Sequence, residues 1–399
     1  MLKKILITSI AIKILILITL SLVNNGDIGG YNTNSIESDD VRYVAGAIYY
    51  SQNAKSLIDE EVFTYAFARL DDRTGYSSSF SLWYWFVCIA AYLFQSIFAL
   101  RVINILFSAL TAFYIFKLAS ILFNNKAAKY AAIIYSFNPY FLIFPLFLYK
   151  DQLIALLTVQ LFYFLYSFFA SKKNKFLLFA LINLILFSFL RSGFVFILAF
   201  AFLALFLIRE KRFPKMSNFS NIFYILVISV VSILFVPFIF VDNLQIILEK
   251  LFVYVLERQT SESDTIAMFQ ISGLSDFYKL PFAFIFALLQ PVNLTSQIIS
   301  ISGFVGLINL FGIFLATGNA LAFFDKNIRS LNFTWIIHAL FVVTLITSLG
   351  ISRHYYFMLP FYVIFLSAFV VNKNNFITTL FCSLLLAMLI GVYYLTKVI

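Results

Sequence analysis

Charge is what this sequence has least of. Only 12% of its 399 residues are Asp, Glu, Lys or Arg, about half the roughly 25% of a soluble domain. A chain so poor in charge cannot cover a water-facing surface, and a soluble fold is excluded. Cysteine is scarce too. Cys88 and Cys382 both sit inside apolar runs, which leaves no disulfide framework and no thiolate metal spacing. Two histidines in the whole chain give no support to a His-based metal site. There is no internal repeat and no low-complexity tract. The net charge of +10 gives no reason to expect a nucleic-acid partner, because the basic residues fall at the ends of apolar runs.

What is present is apolar and aromatic. The chain is 62% hydrophobic, with 52 Phe and 23 Tyr, and its mean hydropathy is +0.96. The expected fold is an all-α polytopic membrane protein, a single membrane domain over residues 1–399. Residues 5–23 follow Lys3-Lys4 and are long enough to span. Ser21-Leu22-Val23-Asn24-Asn25-Gly26 offers no small-x-small cleavage site, so this is read as an uncleaved anchor with the N-terminus inside. A first external loop covers 24–100. At its end, the uninterrupted apolar part Leu82–Phe94 is 13 residues, too short to cross. It opens on Trp83-Tyr84-Trp85, which prefer the interface, so it is expected to be a helix lying on the outer surface. A second external loop covers 242–297, and its apolar piece 280–290, with Pro281 and Pro291 near its ends, is too short to cross.

Charge bias sets the topology. Spans at about 101–123, 127–148, 152–170, 176–190, 192–208, 219–241, 298–324, 331–350, 355–371 and 376–396, with the anchor, make about 11. The inside then holds Lys3, Lys4, Lys126, Lys129, Lys172, Lys173, Lys175, Arg209, Lys211, Arg212, Lys215, Lys326, Arg329 and Lys373. The short external turns and the terminus hold Lys150, Arg191, Arg353 and Lys397, so the bias is 14 to 4. Whether 176–208 is one helix or two turns on Arg191-Ser192-Gly193, which interrupts the apolar run and favours two.

This topology gathers one set of polar residues on the external face: Asp39 and Asp40, Arg101, Lys150-Asp151, Arg191 and Arg353-His354. Any one of them is more often a helix end reaching to the interface than a functional group. Their recurrence on one face is the signal, because ionisable groups at membrane depth are costly and need partners or a task. Carboxylates that take a proton and arginines that hold a phosphate suit transfer from a lipid-phosphate donor.

The order of these features resembles the glycosyltransferase C superfamily, including the protein O-mannosyltransferases and the bacterial lipid A aminoarabinose transferase. The resemblance runs through Asp39-Asp40-Val41-Arg42-Tyr43 after the first span and Ala99-Leu100-Arg101-Val102-Ile103 opening the next. It continues through Leu122-Phe123-Asn124-Asn125-Lys126, Pro139, Lys150-Asp151-Gln152-Leu153 and Arg191-Ser192-Gly193, and returns at Arg353-His354-Tyr355 before Pro360. It covers most of 1–210 and about 340–371. Asp40 stands where the family favours Glu, and Ser77-Ser78-Ser79-Phe80 stands where it has His-Pro-Pro.

The resemblance implies an inverting transferase of the cell envelope, working in polysaccharide biosynthesis or a related glycosylation. It would move a sugar from a polyprenyl-phosphate donor to a lipid-linked glycan, lipid or protein acceptor. The setting implied is a bacterial inner membrane with the site facing outside and lipids around it. Asp39 and Asp40 would be the catalytic pair, Asp39 as base and Asp40 in support, so Asp40→Asn is expected to be milder than Asp39→Asn. Arg191, Arg353, Lys150 and His354 would bind the donor phosphate, with Tyr43, Arg101 and Asp151 supporting. If a divalent cation such as Mg2+ or Mn2+ is used, Asp40 and Asp151 are its candidate ligands; Asp151 orienting Arg191 is the open alternative. A lipid-linked polysaccharide polymerase or ligase ranks second, since its late loop would be expected to carry arginines and 242–297 offers only Arg258. A transporter or flippase ranks third: Lys13 and Lys117, the charges well inside spans, are expected to snorkel inward.

Overall fold

The computed structural model describes residues 1–23, 39–68, 82–190, 198–199, 201–202, 204–205, 302–348 and 356–398. Among these residues the fold is helical, with no strand. The protein is an integral membrane protein by composition and helix length. Among the described residues three helices are each long and apolar enough to cross: α1 (Leu2–Val23), α5 (Ile97–Leu122) and α8 (Asp151–Ser171). Their 22, 26 and 21 residues correspond to about 31–39 Å of helix, against a hydrocarbon core of about 30 Å. The expected spans at 192–208 and 219–241 and the loop at 242–297 lie wholly or largely outside the described residues.

Among the described residues between α1 and α5 lie three shorter helices, α2 (Asp39–Asn53), α3 (Glu60–Ala68) and α4 (Leu82–Phe94). Helix α4 has the 13 residues read from the apolar run. It stops at Gln95, whose backbone turns left-handed at φ 50°. Ser96 then caps α5 by accepting from the Ala99 N–H.

The expected span 127–148 is not one helix. Helix α6 (Asn125–Phe137) ends at Asn138, and a short α7 (Pro139–Ile143) and a 3-10 turn (Phe144–Leu146) follow. Proline disfavours helical backbone in the residue before it, and Asn138 is accordingly extended, with φ −61° and ψ 130°. Its side chain accepts from the Tyr140 N–H at 2.9 Å and starts α7. The chain then runs through Phe147, also extended, into α8.

Helix α8 is the buried centre of the bundle. It packs against α5, α9 (Asn174–Leu190) and α13 (Leu359–Val370). Phe162 of α8, Phe361 of α13 and Phe333 of α12 (Asn332–Ser348) meet edge to face at 5.1–5.8 Å. Ala128, Ala131 and Ala132 are buried on α6, and such small side chains let it lie close to α5 and α13. The chain ends with α14 (Lys373–Val398), which meets the helix before it at 120°. Before α12 stand α10 (Ser302–Phe324) and the short α11 (Lys326–Arg329).

The two ends of the bundle differ in chemistry. The turns after α5, α8, α10 and α13 carry Lys126, Lys172, Lys173, Lys175, Lys326, Arg329 and Lys373. Lys126 Nζ donates to the Val371 carbonyl at 3.3 Å, which ties two of these turns together. The start of α2, the start of α5 and residues 146–152 gather at the opposite end.

Lys13 does not snorkel. It is buried in α1 and its Nζ donates to Ser108 Oγ on α5 at 2.7 Å. Ser9, one turn earlier, donates to the Ser136 carbonyl at 3.1 Å. The anchor is thereby packed into the bundle by polar bonds as well as by Leu17 against Ile105, Ile143 and Leu146.

Candidate active site

The site is built where α2 meets α5. Arg101 Nη1 and Nη2 donate to Asp40 Oδ1 and Oδ2 at 3.2 and 3.0 Å. Both side chains are almost fully buried, 3% and 2% exposed. A two-pronged guanidinium–carboxylate pair in a dry setting is short-ranged and geometrically strict. Each partner also bonds the backbone between α7 and α8. Arg101 Nη1 donates to the Leu146 carbonyl at 2.8 Å, and the Leu148 N–H donates to Asp40 Oδ1 at 2.6 Å. Asn104, one turn along α5, donates to the Phe147 carbonyl. Three side chains from two helices therefore engage three successive residues of irregular backbone, which would otherwise leave buried polar groups unsatisfied.

Two residues after Leu148, Lys150 stands just before α8, and Asp151 opens it. Lys150 is half-buried and Asp151 is buried. An acid in the first turn of a helix is favoured by the partial positive charge there. Gln152 beside it is fully buried, and both its amide nitrogen and its oxygen are bonded. It donates to Thr111 Oγ1 and the Tyr135 hydroxyl at 3.2 and 3.3 Å, and accepts from the Tyr356 hydroxyl at 2.7 Å. This joins α5, α6, α8 and the turn that leads into α13.

The structure thus brings Asp40, Arg101, Lys150 and Asp151 to one end of the bundle. Asp39 is the first residue of α2, and its side chain lies outside the described residues. Arg191, Arg353 and His354 also lie outside them. Tyr43 is buried one turn after Asp40 and packs on Trp83 and Tyr84 of α4, at 6.1 and 5.4 Å between ring centres. Asp40 does not fit a metal as it stands. Its oxygens are taken by Arg101 and by the Leu148 N–H, and a divalent cation there would meet the guanidinium charge. Among the described residues no group of three His, Cys, Asp or Glu is placed to hold an ion.

Helices α2, α3 and α4 hold one another by rings. Phe63 stacks on Trp85 at 3.9 Å, and Tyr50 meets Trp85 and Tyr92 edge to face. The Tyr50 hydroxyl donates to the Leu57 carbonyl at 3.1 Å and accepts from the Asp59 N–H at 2.8 Å, and burial raises its pKa. Asp59 accepts from the N–H groups of Lys55 and Val62 at 3.1 and 3.2 Å, and those bonds hold its carboxyl below the usual range.

Asn104, Thr111, Gln152, Tyr135 and Tyr356 escaped the sequence reading. For α5 a signal was present. Arg101, Asn104, Ser108 and Thr111 follow the 3-4-3 spacing of one helical face inside an apolar run, and all four are buried. Gln152, Tyr135 and Tyr356 join only through the tertiary fold.

Residues 81–240 match the family model described as dolichyl-phosphate-mannose-protein mannosyltransferase. The match takes in Arg101, Lys150, Asp151 and Arg191, and stops short of Asp39 and Arg353. A crystal structure of the Archaeoglobus fulgidus oligosaccharyltransferase, tethered to an acceptor peptide, is similar with a TM-score of 0.44 and 15% identity. The alignment covers 97% of this chain and 53% of that one, so the chain spans about half the length of that structure. No curated protein matches the chain.

Proposed function

We propose that the protein is an integral-membrane glycosyltransferase. It takes a sugar from a polyprenyl-phosphate donor and delivers it to a hydroxyl of a lipid-linked glycan, lipid or protein at the external face of a plasma membrane. The family match over residues 81–240 carries this reading, because it spans the segment in which Arg101, Lys150 and Asp151 are gathered.

In this reading Asp39 accepts the proton of the acceptor hydroxyl. The acceptor oxygen bonds to the anomeric carbon as the bond from that carbon to the phosphate oxygen breaks. Configuration inverts and polyprenyl phosphate leaves. A positioned base contributes about 10²–10⁴-fold to such a step. Arg191 and Arg353, with Lys150 and His354, balance the charge that gathers on the departing phosphate. Asp40, committed to Arg101, serves by holding α2 on α5 so that Asp39 stands beside the Lys150-Asp151 turn. Asp151 orients Arg191 or holds a divalent cation.

The test uses the purified full chain in lipid nanodiscs with polyprenyl-phosphate sugars and a mixture of lipid-linked and peptide acceptors. Release of polyprenyl phosphate that requires acceptor is the expected result. Donors that stay intact with every acceptor class would remove the proposal.

A further inference from the structure

Two buried polar knots bracket one short stretch of backbone. Upstream, Arg101, Asp40 and Asn104 engage the Leu146 carbonyl, the Leu148 N–H and the Phe147 carbonyl. Downstream, the Gln152 amide bonds Thr111, Tyr135 and Tyr356. Between the knots lie only Tyr149, Lys150 and Asp151. The first knot draws on α2 and α5, and the second on α5, α6 and the turn before α13.

Stability alone does not call for this. A straight helix with an apolar interior would satisfy the same backbone without burying two amides, a guanidinium and a carboxylate, and buried polar groups are seldom more stabilising than well-packed apolar ones. The knots instead fix position. Backbone pinned on both flanks cannot shift along or twist about its axis, and the pinned residues include Lys150, which is half-buried, and Asp151. Reacting groups displaced by about 1 Å lose about 10²-fold in rate.

We propose that Asn104 and Gln152 are positioning residues for the transfer step, holding the Tyr149–Lys150–Asp151 turn in one geometry from its two sides. Neither touches the substrate. The inference rests on the glycosyl-transfer reading of this end of the bundle.

The test compares the wild-type full chain with Tyr356→Phe, Gln152→Leu and the double variant, all in nanodiscs. Three quantities are read: melting temperature, amide exchange of the 147–153 segment, and kcat and KM with a polyprenyl-phosphate sugar. Tyr356→Phe strands one Gln152 oxygen, so exchange speeds up and kcat falls at least tenfold. The double variant removes both ends of that bond and recovers part of the melting temperature, the Thr111 and Tyr135 hydroxyls still lacking the Gln152 amide, while kcat and exchange protection stay lost. Asn104→Leu reproduces the kcat loss from the other flank. A double variant that recovers kcat together with melting temperature would reduce Gln152 to a packing residue and overturn the proposal, as would unchanged exchange in every variant. A wild-type protein that transfers nothing ends the glycosyl-transfer reading, and exchange across 147–153 still reports separately whether the knots fix the turn.

Discussion

Asp40 and Arg101 stand 61 positions apart in sequence and meet as a two-pronged ion pair, shielded from solvent and bonded on both sides to the backbone of Leu146 and Leu148. Removing one partner leaves the other charged in a dry place, at a cost of about 3–5 kcal/mol. Asp40→Asn and Arg101→Leu should therefore both lower the melting temperature of the purified chain. Replacing both residues with apolar side chains of similar size should recover only part of it, because the Leu146 carbonyl and the Leu148 N–H then lose their partners. The sequence alone suggests that Asp40→Asn is the milder of the two acidic variants for transfer, and the pair adds an expectation about its stability. With its carboxylate buried on Arg101, the Asn variant is expected to lose stability first.

Gly318 gives a packing prediction. A Cβ there would clash with Leu366 Cδ1 and lie 3.1 Å from Thr379 Cγ2. Leu366 is fully buried, so its side chain can make room only by displacing its neighbours. Gly318→Val should destabilise by about 1–3 kcal/mol by thermal denaturation. Combining it with Leu366→Ala should cost less than the two single changes added together.

Asp59 gives a pH prediction. The Lys55 and Val62 N–H groups hold its carboxyl below its ordinary value, so its folded pKa is depressed. The contribution is present above the unfolded value of about 3.9 and is lost as pH falls through the lower folded value. Asp59→Ala should speed amide exchange across residues 55–63 at neutral pH. After correction for intrinsic exchange, wild type and variant should converge once the pH has fallen below the lowered folded value. A difference that persists there would show that the cap does not work through the ionised carboxylate.

The lysine-rich turns predict sidedness. If Lys172, Lys173 and Lys175 face the cytoplasm, a membrane-impermeant thiol reagent added to intact cells should leave Lys173→Cys unlabelled. After the membrane is opened the same variant should react. Labelling from outside intact cells would invert the topology.

The parts of the fold legible in the sequence are those set by local chemistry. The 13-residue α4 was readable from its length and its Trp-rich start, and the turn at Asn124 from the break in the apolar run. The break at Asn138-Pro139 was missed because hydropathy averages across it, although proline's effect on the residue before it is a local signal. Lys13 was read as snorkelling because its partner Ser108 lies 95 positions away. The candidate site divides in the same way. Acids and arginines at span ends are visible as costly charges, whereas the Gln152–Tyr356 bond joins residues 204 positions apart and leaves no trace in either neighbourhood.

The central claim is that Asp39 is the base of a sugar transfer at this end of the bundle, and one comparison tests it most directly. Wild type and Asp39→Asn are purified in nanodiscs and assayed for transfer of labelled sugar from a polyprenyl-phosphate donor, with melting temperature and donor binding measured on the same samples. The account predicts that Asp39→Asn keeps its melting temperature and its donor and loses transfer by about 10²-fold or more. An Asp39→Asn protein that transfers sugar at the wild-type rate would contradict it.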